Sequence, residues 1–174
     1  MAKVRDIMNT EAIFVPPSAP IIEVAHRMKI RGTGVIPICD QGKFRGLITE
    51  RHIVTEIVAN AIDPVGAPAS SVMNKHQPVI SPDEDIMQAA KIMINNNVHV
   101  LAVAQNGELL GLLTLDDLAR ESLALAAMVF AKTVAPQSTA HQEIRNKKLN
   151  KYQGTRPSKG YSEHGKFKED KKHG

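Results

Sequence analysis

The sequence predicts a mixed α/β (α+β) protein: two copies of one β-α-β-β-α unit, packed sheet to sheet about a pseudo-twofold axis. Two observations lead there. A shift of 65 residues lays residues 4–60 on residues 69–125 without a gap. Beyond residue 132 the apolar periodicity stops and the composition turns basic and polar. The 174 residues leave room for one compact domain or two small ones, and 43% hydrophobic content is enough to bury a core. Aromatic residues are only 3% and Trp is absent, so Ile, Val, Leu, Ala and Met must fill the interior.

The 65-residue shift pairs 13 identical residues in 57 positions, among them Met8/Met73, Asn9/Asn74, Ala25/Ala90, Met28/Met93, Gly46/Gly111 and Thr49/Thr114. Composition alone would give roughly three or four. Apolar also faces apolar between the identities, as in Val15/Ile80 and Ile48/Leu113. A repeat present twice, with the Pro/Gly connector 63–68 between copies, implies a pseudo-twofold pair. The expected organisation is 1–62 for the first copy, 63–68 for the linker, 69–132 for the second copy and 133–174 for a tail.

Each copy opens with a short extended piece (12–15 and 77–80) ended by proline. A helix follows, with apolar residues at i, i+3, i+4 and i+7: Ile21, Val24, Ala25, Met28 and their mates Ile86, Ala89, Ala90, Met93. In the second copy Ser81-Pro82-Asp83-Glu84 reads as an N-cap with Pro at N1 and Glu at N3. Two strands come next in each copy (34–39 and 44–49; 98–104 and 109–114), joined by the glycine turns 40–43 and 105–108. A second helix closes each copy, over 50–60 and from 115 to about 132. One such unit is too small to hold a large core alone, so the two are expected to share one.

Charge and cysteine content exclude several classes. Residues 1–132 hold 12 Lys+Arg against 14 Asp+Glu; residues 133–174 hold 10 against 4. The basic character belongs to the tail, which weakens a nucleic-acid role for the folded part. Scarce aromatics argue against stacking platforms for single strands. The lone Cys39 forbids an intrachain disulfide and fits a reducing, cytoplasmic setting. It lies in an apolar run, as a buried small hydrophobe does. The N-terminus lacks the apolar stretch of a signal peptide, and the longest apolar run, 123–131, is about half a membrane span. His26 and His76 have no partners at ligand spacing, so no metal site is expected. No nucleophile–base pair and no phosphate-cradling Gly-rich loop is present, so the sequence does not read as an enzyme.

The stretches Gly46-Leu47-Ile48-Thr49-Glu50-Arg51-His52 and Gly111-Leu112-Leu113-Thr114-Leu115-Asp116-Asp117, set in this order of elements, resemble the CBS domain, named after cystathionine β-synthase. That family carries a Gly-apolar-apolar-Thr/Ser-x-x-Asp signature where the last strand enters the last helix. The openings 3–8 and 70–73 and the segment 98–103 resemble it too. The resemblance covers residues 3 to about 128 and implies a tandem CBS pair, or Bateman module. Such a pair is a disc-like, often dimeric module, with clefts that take AMP, ADP, ATP or S-adenosylmethionine as regulatory ligands. It implies no catalysis and no required cofactor.

An adenosine nucleotide asks for a carboxylate at its ribose, N–H donors or cations at its phosphates, and an apolar slot for its base. The resemblance assigns Asp117 to the ribose with Thr114 beside it, Val79, Ile80 and Ser81 to the adenine wall, and His99 to a phosphate contact. Copy one departs from the signature: His52 stands at the carboxylate position, after Arg51. Imidazole cannot accept two hydroxyls as a carboxylate does, and it becomes cationic near pH 6. Arg51 and His52 are therefore expected near the phosphates of a nucleotide whose ribose is on Asp117, giving one adenosyl site per chain.

Simpler roles compete. A Thr followed three residues later by an acid is also a helix cap, Arg51 suits a solvated helix, and His99 suits a satisfied strand position. The stripe Leu118, Leu123, Leu125, Met128, Val129, Phe130 reads as core or as the interface of a homodimer. The tail has the composition of disorder, and its charge suits an acidic partner, a weak nucleic-acid contact or plain solubility. The expected function is a sensor that transmits occupancy to a regulated partner. The competing function is a ligand-free dimeric scaffold whose tail binds a protein or nucleic acid.

Overall fold

The computed structural model describes residues 2–134; the expectations for 135–174, the tail, lie outside the described residues. The elements are α1 (Val4–Ile7), α2 (Ile21–Arg31), β1 (Val35–Asp40), β2 (Lys43–Thr49), α3 (Glu50–His52), β3 (Val79–Ile80), α4 (Ile86–Asn96), β4 (Val100–Gln105), β5 (Glu108–Thr114), α5 (Leu115–Glu121) and α6 (Leu123–Val134). A π-helical turn, Ile53–Val58, continues α3, and a 3₁₀ turn, Ala69–Ser71, opens the second copy.

The strands lie in the order β1-β2-β5-β4-β3. Within each copy the hairpin is antiparallel, with a register shift at the same place, Ile38/Cys39 and Val103/Ala104. Gln41-Gly42 and Asn106-Gly107 turn the hairpins with positive φ at both residues, the geometry that matches the strands' twist. The two hairpins meet at one pair, Lys43 opposite Glu108, which are each other's mates under the 65-residue shift. The pseudo-twofold axis therefore passes between them.

The openings of the copies are exchanged. Asn9 of copy one pairs with Leu112 of copy two through two backbone bonds (2.8 and 3.0 Å), and Asn74 pairs with Leu47 in the mirrored way (2.8 and 3.3 Å). This exchange explains the glycine of the signature. A Cβ on Gly111 would sit 2.5 Å from the Asn9 carbonyl oxygen, and one on Gly46 would collide with that of Asn74. Only glycine lets the other copy's backbone approach so closely. Packing follows the same exchange. Val4, Ile7 and Met8 join the core of Ile86, Met93, Leu101 and Leu113, while Ala69, Val72 and Met73 join that of Ile21, Val24, Ile36 and Ile48. Leu47, Ala102 and Leu112 form a third apolar cluster at the seam.

Three local expectations are corrected. The helix of copy two begins at Ile86 with Asp85 as N-cap, not at Ser81. The carbonyls of Pro82 and Glu84 instead accept from Arg5 and Val4 N–H (3.0 and 2.9 Å), so α1 of the other copy holds this stretch out of the helix. The closing helix of copy one winds into a π-turn after His52. The closing helix of copy two breaks at Ser122, whose extended backbone (φ −145°, ψ 95°) separates α5 from α6. Helix α6 then packs back on α4 and α5. This splits the predicted stripe: Leu118 and Val129 are fully buried, whereas Leu123 and Phe130 are 74% and 56% exposed.

Candidate functional site

The signature residues cap their helices in both copies. Thr114 ends β5 in an extended conformation, and its Oγ1 accepts from the Asp117 N–H at 3.2 Å. Asp117 Oδ2 accepts in return from the Thr114 N–H (2.9 Å) and hydroxyl (2.6 Å). Oδ1 of Asp117 pairs with Arg120 at 3.1 Å. The Asp117 side chain is 12% exposed and that of Arg120 is 79% exposed. One carboxylate oxygen is thus committed to the helix start, and the other is held by a cation that water can easily draw away.

In copy one the same reciprocal box is built with imidazole. Thr49 Oγ1 accepts from the His52 N–H (3.3 Å), and His52 Nδ1 accepts from the Thr49 N–H (3.2 Å). That second bond needs the Nδ1 lone pair and so a neutral ring. Burial lowers the His52 pKa below its ordinary 6.5; Glu56 acts against the shift and Arg51 with it. Arg51 itself is exposed, and among the described residues no hydrogen bond or ion pair joins it or His52 to Asp117 or Thr114.

The other expected residues have partners of their own, and the His99 carbonyl accepts from the Leu115 N–H at 2.9 Å, next to Thr114. Val79 is 46% exposed on β3, which runs parallel to β4, while Ile80 is 3% exposed and belongs to the core of copy two. Ser81 Oγ accepts from the Asp83 N–H. His99 Nε2 lies 2.6 Å from Thr133 Oγ1, at the end of α6. Burial pushes the Cys39 thiol up to about 11, which leaves it unreactive at neutral pH. Among the described residues no three His, Cys, Asp or Glu side chains come together as metal ligands.

A hollow of about 140 Å³ opens at the seam of the two copies. Copy one contributes Asn9, Glu11, Ala12, Ile13, Arg31, Thr33 and Val35, and copy two contributes Leu112, two residues before Thr114. None of the residues singled out from the sequence lines it. The exchange of openings carries the start of copy one to β5 of copy two, the strand that enters α5. The identities Asn9/Asn74 and Gly46/Gly111 were the signal: two residue pairs kept for no reason of helix or strand periodicity.

Fold and seam define the class: a two-copy α/β module with a pocket shared between the copies. The chain belongs to the CBS domain family, whose domain matches twice, over residues 4–59 and 69–124. The CBS domain-containing protein YhcV of Bacillus subtilis is 29% identical over 144 residues, 83% of this chain and 99% of that protein. The crystal structure of Hypoxic Response Protein I with two coordinated zinc ions is 28% identical, with a TM-score of 0.63 over 70% of this chain and 99% of that one. A CBS domain pair in complex with 5′-methylthioadenosine and S-adenosyl-L-methionine has a TM-score of 0.63 at 23% identity, over 70% of this chain and 95% of that one. Among the described residues no helix is long and apolar enough to cross a membrane.

Proposed function

We propose that the chain is a non-enzymatic regulatory module that binds one adenosyl ligand at the seam hollow and signals its occupancy to a partner. The observation that carries this reading is the hollow itself. Its lining combines the apolar Leu112, Val35 and Ile13 with the cation of Arg31. It lies against the strand that leads to Thr114 and Asp117. Ligand sites commonly measure about 300–1,000 Å³, so this one must widen to take a nucleoside. Release of Arg120 from Asp117 frees one carboxylate oxygen for a ribose hydroxyl, a charge-assisted bond. The bound adenosyl compounds of the CBS pair described above support the ligand class. The matched family supports a role without catalysis, and the single cysteine, Cys39, fits a reducing compartment such as the cytoplasm.

Calorimetric titration with AMP, ATP and S-adenosylmethionine tests this reading. At least one should bind with a stoichiometry of one, and Asp117→Ala should weaken it tenfold or more while Thr49→Ala leaves it within about twofold. No binding at millimolar concentration by any of the three would refute it.

A second reading has its own support. Asp117 is already satisfied by Thr114 and Arg120, and α6 turns Leu123 and Phe130 to the outside. A ligand-free module that dimerises through this face and offers its basic tail to a protein or nucleic acid would show unchanged melting with every nucleotide. It would also bind in a salt-sensitive way that is lost on removal of 135–174.

A further inference from the structure

The pseudo-twofold axis requires a mate for the seam hollow, and each lining residue has one. Asn9 maps to Asn74, Ala12 to Gln77, Val35 to Val100 and Leu112 to Leu47. At the mate position the small Ala12 is replaced by the one buried polar side chain among the described residues, Gln77, at 9% exposure. Its carboxamide nitrogen donates to the Val100 carbonyl at 2.7 Å, and its oxygen accepts from Asn74 Nδ2 at 3.4 Å. Both partners are mates of residues that line the open hollow. The asparagines are oriented alike, since Asn74 Oδ1 accepts from the His76 N–H (3.0 Å) and Asn9 Oδ1 from the Glu11 N–H (2.8 Å). Each is thereby left with Nδ2 to donate.

We propose that Gln77 is an internal stand-in for the ligand's base: it closes the second cleft and shows how the first one reads its ligand. This rests on the adenosyl reading above. A primary carboxamide presents an N–H₂ donor next to an acceptor. The amino edge of adenine presents the same pair, its 6-amino group beside a ring nitrogen. In the second cleft Gln77 meets the Val100 carbonyl and the Asn74 amide with that edge. In the first cleft Ala12 leaves the Val35 carbonyl and Asn9 Nδ2 for the ligand. The Val35 carbonyl already takes the Thr33 hydroxyl at 3.2 Å, and its second lone pair can accept a further donor. A 6-oxo base would set oxygen against that carbonyl oxygen and is rejected. A buried acceptor left without its donor costs more than a typical hydrogen bond gains, so one residue decides the number of sites per chain.

Calorimetry with AMP and with inosine monophosphate on four proteins tests this. His52→Asp restores a carboxylate at the second cleft without unplugging it, and His52→Asp/Gln77→Ala does both; Ala12→Gln plugs the first. The expected stoichiometries for AMP are one for wild type, one for His52→Asp, two for the double variant and none for Ala12→Gln, with inosine monophosphate at least tenfold weaker throughout. Wild-type stoichiometry of two, a double variant that stays folded and binds one, or Ala12→Gln that still binds one would each overturn the proposal. Inosine monophosphate binding as tightly as AMP would also overturn it. Should the double variant fail to fold, Ala12→Gln decides alone. If wild type binds nothing and the double variant binds one AMP, the plug stands and the reading of the open hollow falls. If neither binds, both fall.

Discussion

The two copies share a frame and differ at the points that face the seam. In both, the strand leaving the hairpin passes a glycine, crosses the other copy's backbone and enters a helix through a Thr box. In copy two the box closes with a carboxylate and the helix runs on to Glu121, followed by α6 folded over α4. In copy one it closes with imidazole and the helix gives way to a π-turn after three residues. On the opposite wall Ala12 leaves a hollow where Gln77 closes one. The difference teaches that duplication preserved what backbone crossing demands, while side chains at the cleft were free to diverge. Two equivalent clefts became one open and one filled.

The comparison can be broken first at the crossings. Gly46→Ala and Gly111→Ala each place a methyl group against a backbone carbonyl that cannot swing aside. Each should cost about 1–3 kcal/mol, the range for overpacking, and the two losses should match. Urea unfolding measures them, and a loss confined to one copy would show that the crossings are not equivalent. The caps come next. Thr114→Ala strands the Asp117 carboxylate and should cost about 1–2 kcal/mol, whereas Thr49→Ala, facing imidazole, should cost about 0.5–1 kcal/mol. Equal losses in thermal melting would mean that the charged acceptor adds nothing to the helix start.

The smallest effect concerns pH. His52 is held neutral in the folded protein, with its pKa lowered from 6.5 by burial, with Glu56 opposing and Arg51 reinforcing. The unfolded chain therefore takes up this proton more readily. The stabilisation is present above pH 6.5 and is lost as the pH falls through the lowered folded value. Melting midpoints followed from pH 7.5 to pH 5 should fall further for wild type than for His52→Asn, whose amide oxygen accepts the Thr49 N–H at any pH. Parallel curves would remove His52 from the box.

Much of this was legible without coordinates. Repeats at a fixed spacing announced two units. Helical periodicity placed α2 and α4, and Gln41-Gly42 and Asn106-Gly107 placed the hairpin turns, because these signals come from neighbours within a few residues. Ser81-Pro82-Asp83-Glu84 misled for the same reason: it is a sound local cap, but Arg5 and Val4 of α1 claim the Pro82 and Glu84 carbonyls from more than 70 residues away in sequence. The break at Ser122 also has no composition marker, since Leu123 onward keeps an apolar pattern that suits helix.

What the sequence determined by itself was the unit, its duplication and the family, since each depends on which residue types recur and at what interval. What only the tertiary structure decided was the exchange of openings, and with it the cleft: Asn9, Ala12 and Thr33 meet Leu112, and Gln77 turns from an unremarked strand residue into a plug. The physical reason is range. Periodicity reports how a segment meets its own neighbours, whereas a pocket at a seam depends on which distant backbone lies across a glycine. That choice is made by the packing of both cores together.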